Sequence, residues 1–406
     1  VNGTISSTYR YLIIGAGIAG LTAVRAIRER DPSGSILLVS EEDRVPYKRT
    51  KISKYLARGF ERDDFAMESG EWYQENHIDL AVGETVLSVD PGLHRAHLPA
   101  VGEVRWEKLV FANGSLAILP PGMELGRAVA VVRTASDVER LRQAVMPMKR
   151  ILVAGGGVLG VEVAEQLTAL GKAVVLAGRR AHLLGTHLNE EVSGMLENLL
   201  RENGVELLLN APVTAIDIGR SRRGEVSVAT PRGTTRADMA VFCIGVRPNI
   251  GLARSAGLAT GQGIQVDANL RTSHPDIYAA GDVAEHPGGF VSFLWHAAEL
   301  QGQIAGANAA GDLITHDLRP FRLKCEVFGN YFFSMSPPTV SEGIKVVRGL
   351  DGSRYRALFY RDGRLCGAVM VNDKERAKSY VKAVREGWHA DELDERLPLL
   401  ESTSQP

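Results

Sequence analysis

The sequence predicts an α/β fold class: two Rossmann-like units, followed by a smaller α+β domain. Three observations predict it. An apolar run, a Gly-x-Gly-x-x-Gly turn, a helical stretch and a second apolar run succeed one another over residues 9–41. The same order recurs from Ile151 to Ala177, and from Thr315 onward the pattern changes to alternating strands with one helical segment. A single such glycine turn is a weak signal. Two of them, each after an apolar strand and before an amphipathic helix, read as two dinucleotide-binding domains.

In the first unit, the strand Tyr11–Ile14 enters Gly15-Ala16-Gly17-Ile18-Ala19-Gly20, a helix runs from Leu21 to Arg30, and the strand Ile36–Val39 ends at Ser40-Glu41. Gly15 permits the tight turn, Gly17 lets the backbone approach a pyrophosphate, and Gly20 lets helix and strand pack closely. The helix N-terminus offers unpaired N–H groups to the phosphates. Glu41 stands where an acid can hydrogen-bond an adenosine ribose.

The basic stretch from Arg44 to Leu56 follows, and Pro46 bars it from being a central strand. Its position past the edge of the first unit suits a ligand contact or a solvated loop equally. The runs Ile78–Val82, Glu84–Val89 and Glu103–Phe111 read as strands, with Asp90-Pro91-Gly92 as a hairpin turn. The last of them leads into Ala112-Asn113-Gly114-Ser115, whose small residues let a backbone lie close to a ligand. Pro120-Pro121-Gly122 punctuates the chain, so a first boundary falls at 117/118.

The second unit has the strand Ile151–Ala154, the turn Gly155-Gly156-Gly157-Val158-Leu159-Gly160, a helix to Leu170 and the strand Ala173–Ala177. The place of Glu41 is taken by Gly178-Arg179-Arg180. No carboxylate is there to repel a 2'-phosphate, and two guanidiniums can accept one, which favours NADPH with NADH still possible. One bound flavin and one exchangeable nicotinamide make hydride transfer the natural chemistry.

Residues 205–245 are strand-rich around a polar Gly219–Gly224 turn and lead into Ile244-Gly245-Val246-Arg247-Pro248-Asn249. The strand at Ile277 then delivers Gly281 and Asp282 at its tip, where the acid can hold a sugar-like hydroxyl or a pyrophosphate. A helix from Ala297 to Ala310 follows. Beyond Thr315 come the strands Leu323–Phe328, Arg354–Tyr360 and Leu365–Val371, the turn Asp362-Gly363, a helix from Lys374 to Glu386, and a tail expected to be loose after Leu400.

Over 406 residues, 47 basic side chains meet 48 acidic ones, which leaves no overall field to draw in nucleic acid or an anionic membrane. No stretch approaches the roughly 18 uninterrupted apolar residues of a membrane span. The polar Val1–Arg10 segment lacks a signal-peptide centre, so a cytoplasmic location is expected. The cysteines, Cys243, Cys325 and Cys366, form no close pair, and each sits in an apolar, strand-like context. Neither a redox disulfide nor a metal site of the usual zinc spacing is expected.

Together these motifs resemble the FAD-dependent pyridine-nucleotide reductases of the disulfide oxidoreductase superfamily. Five segments fall in that family's order: Gly15–Gly20, Phe111–Gly114, Gly155–Gly160, Ile244–Asn249 and Ala280–Asp282. The resemblance implies an FAD domain in two parts, residues 1–117 and 246–316, interrupted by an NAD(P)H domain over 118–245, with a C-terminal α+β domain over 317–406. FAD is then held by Gly15, Gly17, Gly20, Glu41, Ala112, Gly114, Gly281 and Asp282, and the nucleotide by Gly155, Gly157, Gly160, Arg179, Arg180 and Gly245.

The stretch Pro46–Lys54 looks like that of ferredoxin and rubredoxin reductases and of the reductase part of assimilatory nitrite reductases. By that likeness Arg49 contacts FAD, Lys54 lies beside its isoalloxazine ring, Glu162 pairs with Lys54, and Val86 and Arg133 touch FAD. A lysine there stabilises negative charge developing on the ring, and a glutamate fixes the lysine. Thr50 and Lys51 stand where the family often has proline, and Asn113 where it often has threonine. The C-terminal segment around Phe328–Phe333 looks closer to the rubredoxin and nitrite reductases than to dioxygenase ferredoxin reductases.

The implied activity is hydride transfer from NAD(P)H to FAD, followed by electron transfer to a small iron-sulfur protein such as rubredoxin or ferredoxin. Disulfide and peroxide reductases of the superfamily need a cysteine beside the flavin, and the first 242 residues contain none. Two alternatives stay open: an NAD(P)H oxidase using oxygen or quinone, and a redox-gated binding module like apoptosis-inducing factor. Phe293, Trp295 and His296 fit the flavin surroundings, the acceptor face or the core. The oligomeric state has no signature in the sequence.

Overall fold

The computed structural model describes residues 5–213, 215–218, 226–231, 233–317, 322–337 and 343–396. The first sheet has seven strands. Ile78–Val82, Ile36–Ser40, Thr8–Ile14 and Gly102–Phe111 lie side by side and parallel, and Ile277–Ala279 joins Gly102–Phe111 in the same direction. The hairpin Ser88–Asp90 and Arg95–Leu98 adds an antiparallel edge. Ile36–Ser40 is buried along its whole length, as a strand covered on both faces must be. The register sets Ile14 beside both Val39 and Phe111, and Phe111 beside Ala279. The glycine turn, the Ala112 turn and the Gly281 turn therefore leave the sheet at one edge.

The helices Ile18–Arg30 and Trp295–Ala309 pack against each other at backbone distance. A Cβ on Gly302 would lie 2.1 Å from the Ala19 carbonyl oxygen, and one on Gly306 2.3 Å from that of Ala23. Thr22 Oγ1 uses this approach to donate to the Glu299 carbonyl at 2.9 Å. The second of these helices starts two residues earlier than the sequence suggests, at Trp295.

A second, all-parallel sheet follows the order Glu206–Leu208, Ala173–Ala177, Arg150–Ala154, Met239–Phe242, Val129–Val131. Val226, Val228 and Ala237 of a three-stranded antiparallel meander share a core with its Leu152 and Phe242. The chain passes between the two sheets through Ser115–Ala117 and Val246–Pro248, which pair antiparallel. The Asn249 N–H donates to the Gly114 carbonyl at 2.9 Å beside them.

The third sheet is antiparallel: Arg322–Val327, Asn330–Met335, Arg364–Val371, Arg354–Arg361, Ile344–Asp351. Its side chains alternate between two cores. Phe333, Leu358 and Met370 pack under the helix Ala377–Glu386, while Cys325, Phe332 and Phe359 join the core of the second unit.

Several expectations change. The strand expected over Glu84–Val89 is reduced to Ser88–Asp90. Gly83 turns the chain at φ 69, and buried Glu84 accepts the N–H groups of Thr85 and Ala100 in place of a strand ladder. Several strands were not expected, among them Asn330–Met335, Ile344–Asp351 and Val129–Val131. The first is buried on both faces, so it has no alternation to read. The Gly219–Gly224 turn and the tail after Leu400 lie outside the described residues.

Candidate functional site

The first glycine turn is fixed by its neighbours. Gly15 sits at φ 107, and a Cβ there would lie 2.4 Å from the Ala112 carbonyl oxygen. A Cβ on Gly20 would lie 1.9 Å from the Gly15 carbonyl oxygen, whereas nothing lies within 4 Å of one on Gly17. Two glycines are thus required by packing and the third faces open space, which is the clearance a pyrophosphate needs. Gly114, at φ 64, stands beside the Arg133 guanidinium, and Ala112 is buried at the strand end.

A polar network closes this edge. Asp282 Oδ2 accepts from Ser115 Oγ at 2.7 Å and from Arg133 Nη2 at 2.9 Å. Arg133 Nε donates to the Ser115 carbonyl at 2.9 Å, and its own carbonyl accepts from Arg49 Nη1 at 2.7 Å. Arg49 pairs with Glu42 at 2.5 Å, and Tyr47 donates to the other Glu42 oxygen at 2.7 Å. Burial alone would lower the Arg49 pKa, yet the Tyr47 and Glu42 partners hold it above its ordinary value. Arg133 goes the other way, lowered by burial and by the Arg49 charge against the pull of Asp282.

Gly281 is held from below. Its N–H donates to Gln301 Oε1 at 2.8 Å, and the Gln301 amide nitrogen lies 2.9 Å from His286 Nε2. Gln301 is fully buried and His286 is 4% exposed. Burial, and then the neighbouring His316, lower the His286 pKa to about 4, so near neutrality the ring is uncharged and accepts from Gln301.

The short helical segment Arg49–Tyr55 carries the site across to the second unit. Lys54 Nζ lies 3.6 Å from Glu162 Oε1, and Ser53 Oγ donates to Glu162 Oε2 at 2.6 Å. Glu162 is buried on the helix Val158–Ala169 just past the second glycine turn. Burial raises its pKa, and Ser53 and Lys54 act against that rise. One turn further on, Glu165 accepts the Phe328 N–H at 2.6 Å and ties the same helix to the third sheet.

The second turn repeats the first. Gly155 has φ 131, a Cβ there would lie 2.2 Å from the Cys243 carbonyl oxygen, and one on Gly160 would lie 1.8 Å from the Gly155 carbonyl oxygen. Gly157, like Gly17, faces open space. Gly15 N–H donates to the Val39 carbonyl and Gly155 N–H to that of Ala177. Two residues beyond each acceptor stand Glu41 and Arg179. Glu41, Arg179 and Arg180 are all exposed, and none makes an ion pair or side-chain hydrogen bond among the described residues. Gly245, at φ 115, accepts the Ile118 N–H on its carbonyl at the crossing between the sheets.

The other expected residues differ in burial. Val86 is buried among the side chains of the first core. Trp295 packs partly against that core, and Phe293 is 40% exposed. Sequence reasoning missed Glu42, Ser115, Gln301 and His286. For Glu42 a signal existed: it lies seven residues before Arg49, across a Pro46 turn. All three cysteines are unpaired, and burial, with Glu162 adding to it, pushes the Cys243 thiol up to about 12. No helix among the described residues is long and apolar enough to cross a membrane.

Known proteins resemble this chain over most of its length. The ferredoxin–NAD(+) reductase component of the anthranilate 1,2-dioxygenase system of Burkholderia cepacia is 34% identical over 381 residues, 89% of this chain and 90% of that one. The nitric oxide reductase FlRd-NAD(+) reductase of Escherichia coli is 30% identical over 306 residues, 74% of this chain and 79% of its own length. The likeness to the dioxygenase reductase therefore runs into the C-terminal domain. A crystal structure of a ferredoxin reductase from Rhodopseudomonas palustris superimposes with a TM-score of 0.79 at 26% identity, covering 90% of this chain and 91% of that one. The profile of the pyridine nucleotide-disulphide oxidoreductases matches residues 9–310, from the first strand of the first sheet through the helix that ends at Ala309, and the chain belongs to that family.

Proposed function

We propose that this protein is an FAD-dependent NAD(P)H reductase that delivers electrons to a small iron-sulfur protein of the ferredoxin or rubredoxin type. The observation that carries the reading is the Lys54–Glu162 pair, because it spans the seam between two glycine turns of like build. FAD, when bound, accepts a hydride from NAD(P)H and gives up its electrons one at a time.

The chain's own residues supply the rest. Gly17 leaves room for the pyrophosphate, Glu41 offers a free carboxylate to the ribose, and Asp282 and Arg133 present one negative and one positive group at the edge above them. Lys54 sets a positive charge where negative charge develops during reduction, and buried Glu162, held by Ser53, keeps the ammonium in place. All three cysteines are unpaired, and burial pushes the Cys243 thiol up, which disfavours the thiolate that an internal acceptor would use. Electrons then leave to an external partner, and the names of the ferredoxin and FlRd reductases among the relatives support that class. A reducing cytoplasm suits three unpaired cysteines.

For the donor, exposed Arg179 and Arg180 at the counterpart of Glu41 favour the 2'-phosphate of NADPH. The relatives' names specify NAD(+), so the two nucleotides are to be compared directly. Anaerobic titration of the yellow protein with NADPH and NADH tests both parts. Bleaching by at least one nucleotide is expected, with NADPH effective at lower concentration. A colourless protein, or a flavin bleached by neither, sinks the reductase reading; NADH winning by a wide margin sinks the role of the arginines. Rapid reoxidation by oxygen or quinone, with none by ferredoxin or rubredoxin, replaces the acceptor.

A further inference from the structure

The strand Gly102–Phe111 changes neighbours along its length. Residues 102–105 pair with the antiparallel strand Arg95–Leu98, and 109–111 pair with the parallel strand Ile277–Ala279. At the changeover two loop ends meet it in succession: Trp106 N–H donates to the His94 carbonyl and Leu109 N–H to the Asp276 carbonyl, each at 3.0 Å. His94 is held at φ 51, and its ring stacks on Trp106 with centroids 4.5 Å and planes 10° apart. The His274 ring stands edge-on to it at 5.6 Å. Asp276 Oδ2 is 3.6 Å from His94 Nε2, Oδ1 pairs with Lys108, and the Asp276 N–H donates to His274 Nδ1 at 3.3 Å. One ligating atom from each of His94, His274 and Asp276 lies within 4.8 Å of the other two.

We propose that His94, His274 and Asp276 form a binding site for a divalent transition ion of the zinc class. Two imidazoles and a carboxylate suit zinc and its neighbours, whereas magnesium and calcium take oxygen sets. The backbone of His94 and of Asp276 is already bonded to the central strand, so gathering the ligands takes side-chain rotation and no refolding. Lys108 pairs with the second carboxylate oxygen and competes with the ion for its charge, so removing the ammonium leaves that charge to the ion. All three ligands are part-exposed, so an ion enters from solvent and keeps water in its fourth position. The site sits at the opposite end of Ile277–Ala279 from Gly281. An ion there ties the Ser88–Leu98 hairpin to the strand that delivers Gly281 and Asp282, with no contact to the dinucleotide edge.

Calorimetric titration of Zn²⁺ into the full chain, freed of metal by a chelator, tests the proposal. The expected result is one Zn²⁺ per chain, no response to Mg²⁺, and affinity weakened at least about tenfold in His94→Ala and in Asp276→Asn. His97→Ala, which removes an exposed imidazole from the neighbouring strand, is expected to bind as the parent does. Lys108→Met is expected to tighten binding severalfold, a gain that misfolding cannot imitate. Parent and His94→Ala binding alike, absence of binding to the parent, or binding that appears only in Lys108→Met each overturns the proposal.

Discussion

A Cβ added at Gly20 would meet the Gly15 carbonyl oxygen at 1.9 Å, and one added at Gly160 would meet the Gly155 carbonyl oxygen at 1.8 Å. The two turns share their steric logic to that degree, and their surroundings diverge. Around the first, Asp282, Ser115, Arg133, Arg49, Glu42 and Tyr47 bond one another in a continuous chain. Past the second, Arg179 and Arg180 stand exposed with no side-chain partner among the described residues. A preorganised wall suits a ligand that stays, because its ordering is complete before binding. Free guanidiniums suit a ligand that comes and goes, since they are ordered only when an anion arrives. Closely similar backbone geometry can thus serve retention or exchange, and the side chains at the strand ends decide which.

The comparison can be broken most sharply within the first turn. Gly20→Ala is expected to cost at least about 3 kcal/mol of stability, because the methyl meets backbone that cannot yield. Gly17→Val, facing open space, should keep the melting temperature of the flavin-free protein and lose FAD instead. Equal destabilisation of both variants in thermal melts would erase the distinction between packing and ligand-clearance glycines.

His286 supplies the next largest effect. Its pKa is lowered in the folded chain to about 4 from the ordinary 6.5, so the unfolded chain binds more protons between those values. Stability contributed by the neutral ring is complete above pH 6.5 and is lost as pH falls toward 4, on the order of 2 to 3 kcal/mol. Denaturant melts across that window should show the loss in the parent and a smaller one in His286→Gln. A flat profile in the parent would remove the charge-free ring from the support of Gly281.

At the seam, Lys54→Ala should slow flavin reduction by about 10- to 100-fold in stopped-flow measurements while FAD content is unchanged. Unaltered reduction kinetics would detach Lys54 from the chemistry. The smallest change is expected in the second unit: replacing both Arg179 and Arg180 by alanine should cut the preference for NADPH over NADH by about tenfold, through the KM for NADPH. An unchanged ratio would mean that the exposed guanidiniums are only solvated.

Legibility followed the physics of each feature. The glycine turns could be read because backbone collisions dictate the residue type at fixed spacing. The Lys54–Glu162 pair came from a likeness to other reductases, and the structure brings the two side chains to 3.6 Å. Ser115 and Gln301 gave no signal, since a hydroxyl or amide that supports Asp282 or Gly281 can come from any element that packs there. The strand Asn330–Met335 was hidden because both its faces are buried, which removes the alternation that betrays a strand. His94 and His274 belong to distant parts of the chain and meet only where Gly102–Phe111 changes partners, so spacing rules for metal ligands pass over them.

The insertion of the second sheet between Phe111 and Ile277 also sets an order in time. A chain emerging from the ribosome completes its second parallel sheet once Phe242 is out, but the first lacks Ile277–Ala279, and with it Asp282, until later. Domains generally fold as units while synthesis continues. Here the N-terminal unit must wait, one parallel strand short, for the one made after it, and its cofactor can be captured in full only after Asp282 has been made.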